Sequence, residues 1–164
     1  MSIKPVSEPL PQPGYEEIQA PSTMEGSEGL LAIIIREDYQ PKEGVTFFSP
    51  EDSAQQLGIL NHRANKVVEP HIHRVQERVI KDTQEILIIR KGSVIVFLYT
   101  SAGILVTWKR LHKGDVIHLI AGGHALRIQE DSEILEIKQG MYLGKMDKLP
   151  LFTKVNPSNS FVVD

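Results

Sequence analysis

Apolar residues in this chain gather in short, β-branched runs separated by glycine, proline and acidic turns, and convincing helical spacing is almost absent. Leu30-Leu-Ala-Ile-Ile-Ile-Arg36 is bounded by Gly29 and Glu37-Asp38. Its lack of alternation predicts a strand buried on both faces or covered by a neighbouring chain. Pro41 and Gly44 lead to a second short strand, Val45–Ser49. Further strands are predicted over Glu85–Arg90, Ser93–Thr100, Ile104–Leu111, Val116–Ala121, Ala125–Gln129 and Glu133–Gln139. Lys91-Gly92 reads as a hairpin turn between the first two of these; Ser101-Ala102-Gly103, Lys113-Gly114-Asp115, Gly122-Gly123 and Glu130-Asp131-Ser132 punctuate the rest. Strands this short and this closely spaced belong to barrels and sandwiches.

One helix is expected, over Ser49–Leu57. Ser49 suits the cap, Pro50 the first helical position, Glu51 and Asp52 the first turn, and Gly58 the stop. Residues 1–28 hold Pro5, Pro9, Pro11, Pro13 and Pro21, which argues against regular structure and for an extended or disordered arm. The chain then divides into this arm, one barrel domain over 29–144, and a tail over 145–164. The class is all-β.

Composition narrows the function. The chain has 164 residues, 41% hydrophobic and 24% charged, as in a soluble globular domain. A net charge of −3 exerts no general pull on nucleic acid, and no apolar run approaches the roughly 20 residues that span a bilayer. The N-terminus lacks the apolar core of a secretory signal, and no cysteine is present to form disulfides, thiolate ligands or nucleophiles. A cytoplasmic protein is expected.

The candidate chemistry is carried by histidine and glutamate. His71 and His73 are spaced i, i+2, so on a strand both imidazoles face one way and form half of a metal site. Glu85 opens a strand that closes at Gly92, and His124 follows the Gly122-Gly123 turn. Convergence of His71, His73, Glu85 and His124 would give three nitrogens and one carboxylate. That set suits Fe, Mn, Ni or Zn with positions left open for substrate. His118 reads as a pocket residue beside the ligands, and His62 and His112 as surface or structural. Arg74, Arg78 and Lys81 either steer an anionic substrate or form a solvated lip.

These residues resemble the cupins, whose motifs are G-x5-H-x-H-x3,4-E-x6-G and G-x5-P-x-G-x2-H-x3-N. His71-Ile72-His73 matches the histidine pair, Glu85 with six residues before Gly92 the acid-to-glycine spacing, and Gly114 to His124 the second motif. The likeness covers about residues 58–140. It implies a double-stranded β-helix, or jelly-roll barrel, holding one divalent transition metal. Eleven residues separate His73 from Glu85, as an inserted hairpin or lip would; Glu77 stands at the family's usual spacing and competes for the acidic role. Glu85 is preferred because its strand and Gly92 are in register with it. The second motif is one residue short, lacks its proline and has Ile128 for asparagine. Gln84-Glu85-Ile-Leu and Glu136-Ile-Lys-Gln-Gly-Met-Tyr142 also resemble small cupins that accompany bacterial sugar-nucleotide and surface-polysaccharide synthesis.

The resemblance implies a metal-dependent dioxygenase or isomerase/epimerase acting on a small sugar-like or acidic metabolite, with Glu77 and His118 as candidate acid–base groups. The alternative is a non-catalytic ligand-binding or structural module in polysaccharide biosynthesis. A homodimer is expected, crossed by the N-terminal arm or the Leu30 strand.

Overall fold

The computed structural model describes residues 14–158. Ten strands account for nearly all of its regular structure: β1 (Tyr15–Gln19), β2 (Leu30–Ile35), β3 (Gly44–Phe47), β4 (Gly58–Asn61), β5 (Glu85–Lys91), β6 (Ser93–Tyr99), β7 (Leu105–His112), β8 (Val116–Leu119), β9 (Gly123–Ile128) and β10 (Glu133–Lys138). A five-stranded antiparallel sheet has the order β1-β2-β8-β5-β10, a three-stranded one the order β7-β6-β9, and β3 pairs with β4 in a separate hairpin. The all-β class therefore holds. The two larger sheets face each other without closing.

One core fills the space between them. Ala32, Ile34, Leu87, Ile89, Ile117 and Leu119 of the larger sheet meet Val94, Val96, Leu98 and Leu111 of the smaller. All are nearly or wholly buried, and this burial, not local propensity, selects the register, since a one-residue slip would turn each apolar set outward. The other face of β6 carries Ile95, Phe97 and Tyr99, which pack with Trp108 beneath Leu151 of the C-terminal segment. β6 is buried on both faces, and its unbroken apolar run is the consequence.

A charged network ties the sheets together away from the site. Glu16 on β1 pairs with Lys109 on β7, and Arg36 donates to Asp115 Oδ2 at 2.9 Å and to the Arg110 carbonyl at 2.8 Å. Asp115 also accepts from the backbone of Glu37 and His112, so its carboxylate ties the end of β2 to the β7–β8 turn.

Three local expectations are corrected. Residues 49–57 form turns, not a helix. Ser49 Oγ accepts from Leu57 N at 2.8 Å across the loop, and so does not cap the third helical amide. The only helical stretch among the described residues is a 3-10 turn, Gly144–Asp147. Lys91-Gly92 is not a hairpin turn: β5 pairs with β8 and β10, β6 with β7 and β9, and the turn carries the chain from one sheet to the other. Part of the proline-rich arm, Tyr15–Gln19, is an edge strand on β2. Because β2 has β1 on one side and β8 on the other, neither edge of the Leu30 strand is open to a partner chain. The arm's first 13 residues lie outside the described part.

Candidate functional site

Antiparallel register delivers the site's two central residues. Glu85, the first residue of β5, sits opposite Leu119 and Lys138. It thus points to the same side as Leu87, into the space between the sheets. His124 lies opposite Leu98 and points inward from the other sheet. The tight Gly122-Gly123 turn makes this approach possible. Gly122 has φ +69°, and a Cβ there would lie 2.3 Å from the Tyr99 carbonyl oxygen, so the turn accepts only glycine without displacement.

Glu85 Oε2 meets His124 Nε2 at 3.1 Å, with 10% and 30% of the respective side chains exposed. The hydrogen bond from His124 holds the Glu85 carboxyl below the ordinary glutamate range, overcoming the opposing effect of burial; Lys148 and Lys138 act in the same direction. Around the pair opens a cavity of about 630 Å³ lined by Thr83, Leu87, Leu119, Glu136 and the Gly122-Gly123 backbone, with Lys148 and Leu149 of the C-terminal segment along one side. The lining mixes apolar side chains with charged groups and backbone, and the volume lies in the range of small-molecule sites.

Lys138 adds a cation at the same end, with its ammonium 2.6 Å from Asp147, 3.7 Å from Glu136 and 3.9 Å from Glu85. The hydrogen bond to Asp147 raises its affinity for the proton. Lys138 and Asp147 are not among the residues that the sequence marks as candidates. The signal available for Lys138 was its parity with Ile134 and Glu136 on an alternating strand; nothing in the sequence marked Asp147.

His118 faces the other way. It lies opposite Ile33 and Ile86 and is fully buried on the outer side of the larger sheet, beneath the 49–57 loop. Its Nε2 is 3.2 Å from Gln84 Oε1 and its Nδ1 3.1 Å from Ser49 Oγ. The neighbours decide the tautomer. Gln84 Oε1 already accepts from the Gln55 amide, and Ser49 Oγ from the Leu57 amide. Nε2 therefore carries the hydrogen and donates to Gln84, while Ser49 donates to Nδ1. Every polar atom of the ring is satisfied in its neutral form, and burial pushes its pKa down to about 4. His118 thus lies on the side of the sheet away from the cavity, where it joins the 49–57 loop to the start of β5.

His71, His73 and Glu77 lie in the long connection from β4 to β5, where residues 62–83 are irregular and exposed throughout. The two imidazoles stand 5.3 Å apart, centre to centre, and His71 Nδ1 contacts the Glu69 carbonyl at 2.8 Å. The structure thus brings Glu85 and His124 together and leaves His71, His73 and Glu77 apart from them. Among the described residues, no three histidine, aspartate or glutamate side chains are grouped so as to hold a metal ion. As placed, the residues do not form the donor set that a resident metal needs.

No helix among the described residues is long and apolar enough to cross a membrane. No family model, no curated protein and no solved structure matches this chain.

Proposed function

We propose that the chain is a cupin-type jelly-roll protein that binds a small sugar-like or acidic metabolite in the cavity beside Glu85 and His124. In its complete form it acts as a metal-dependent enzyme of the dioxygenase or isomerase/epimerase type. The observation that carries the reading is the Glu85–His124 contact at the mouth of the cavity. Two residues singled out for one site, from different sheets and 39 positions apart, meet at 3.1 Å.

The open side of the sandwich supports the rest. β9 ends the order β7-β6-β9, so its outer edge has no strand partner among the described residues. Leu126 and Ile128 point to the core side of β9, opposite Val96 and Val94, yet are 38% and 53% exposed. An unpaired edge beside uncovered core residues is where one more strand belongs. The exposed connection supplies a candidate in Lys66–Val75, whose Val67, Val68, Ile72 and Val75 find no cover where they stand. Addition of this segment to β9 would cover Leu126 and Ile128 and carry His71 and His73 toward His124.

Metal analysis of freshly purified protein tests the proposal, with wild type beside His71→Ala, Glu85→Ala and His124→Ala. Near-stoichiometric Fe, Mn, Ni or Zn in the wild type, lost in all three variants, is the expected result, together with new amide protection over 66–75 when metal is added. Metal that is absent, or unchanged by the substitutions, refutes the metal reading. The exposed position of His71 and His73 favours a second reading in that event: a ligand-binding or structural cupin module in polysaccharide assembly, without metal chemistry.

A further inference from the structure

Lys138 is the last residue of β10, and its pairing with Glu85 places it on the cavity side of the sheet, behind Asp147, which lines the cavity where Lys138 does not. Only 15% of its side chain is exposed, so its ammonium depends on nearby carboxylates. Glu85 is engaged by His124, and Glu136, 45% exposed, is largely solvated. Asp147 supplies the one short contact, at 2.6 Å. The Tyr142 ring lies 4.8 Å from the same ammonium.

Asp147 arrives on a segment with little else to hold it. Met141, Met146 and Leu149 are 80%, 81% and 93% exposed. Leu151, beyond them, is anchored against the Trp108 cluster, and β10 anchors the other end. Gly140 and Gly144 in between have open space where a Cβ would stand. Residues 141–150 are therefore a strap across one side of the cavity, fastened chiefly by one ion pair.

We propose that Lys138 anchors a carboxylate or phosphate group of the cavity's ligand. Asp147 occupies the place such a group would take, and the ligand displaces it and loosens the strap. This rests on reading the cavity as the small-molecule site and adds the ligand's class: an acid. A small anion offers Lys138 the same charge-assisted hydrogen bond without ordering a ten-residue segment.

Hydrogen–deuterium exchange of 141–150 in the full chain tests this, with inorganic phosphate and succinate titrated separately at constant ionic strength. Either anion is expected to speed exchange of the strap in the wild type, and the one that acts identifies the acidic group. Asp147→Asn should exchange fast without added anion and bind the effective anion roughly fivefold tighter, as expected when a competing ion pair is removed. Lys138→Met should lose anion binding, and Lys138→Arg should retain it, which separates the charge from a folding defect. The proposal is overturned if neither anion changes exchange, if Lys138→Met binds as wild type, or if Asp147→Asn leaves the strap as slow as before. Metal content measured on the same samples keeps the two readings apart, because anion displacement of the strap stands whether or not metal is found.

Discussion

Acid should unfold this protein partly through His118. The ring is buried, neutral and matched at both nitrogens, with Nδ1 taking a hydrogen from Ser49. Protonation at Nδ1 would remove that acceptor and place a charge where Gln84, Ser49 and apolar strands offer no counter-ion. Its pKa is about 4 in the folded chain against 6.5 as the reference for the unfolded one. Because the folded value is the lower, the unfolded chain binds the proton more readily. The contribution is complete above pH 6.5 and is lost as pH falls toward 4. At about 1.36 kcal/mol per pH unit, the gap amounts to about 3 kcal/mol at full development. Urea denaturation of wild type and His118→Gln from pH 7.5 to 4 measures it. The variant pays a fixed cost for altered hydrogen bonds, about 1–3 kcal/mol, at every pH. The wild-type advantage should then shrink by about 3 kcal/mol across the range. Since the carboxylates titrate in both proteins, the difference between the two curves isolates the histidine. A pH-independent difference would refute the assignment of a buried neutral ring.

Two further outcomes test the frame around the site. Lys109→Met leaves Arg36, 3.8 Å away, as the ion-pair partner of Glu16 among the described residues and should cost about 3 kcal/mol in urea denaturation, part of which Glu16→Gln recovers in the double variant; additive losses would show that the pair is not coupled. Gly122→Ala meets both a positive φ and the Tyr99 carbonyl, so a loss of roughly 2 kcal/mol or more is expected in thermal melting, and an unchanged Tm would mean that the turn accommodates a side chain.

Much of this architecture was legible in the chain. Strand positions from Glu85 onward follow from β-branched runs and glycine punctuation, because both are local properties that survive in any tertiary context. The spacing of Glu85 to Gly92 and the place of His124 after Gly122-Gly123, set against the cupin motifs, marked the two as residues able to share a site. The misreadings share one cause. Ser49-Pro50-Glu51-Asp52 satisfies every local rule for a helix start, but the Ser49 hydroxyl is drawn into contacts with Leu57 and His118 from a loop and a distant strand. Lys91-Gly92 has the chemistry of a tight turn, and no local signal says whether the strands it joins will pair with each other.

A period of two states which residues share a face but not which face meets the core. His118 shows the difference. One position from Leu119, it has the residue type for a pocket acid–base group, and only pairing with Ile33 and Ile86 turns it to the outer side of the sheet. Local pattern was enough to mark most strands from Leu30 onward, most of the turns and the candidate chemistry. Sheet membership, the meeting of Glu85 with His124, and the capture of Lys138 by Asp147 were decided by the tertiary structure. The first two join positions far apart in the chain that only the shared burial of two sheet faces brings within reach, and the third depends on the C-terminal segment folding back along β10.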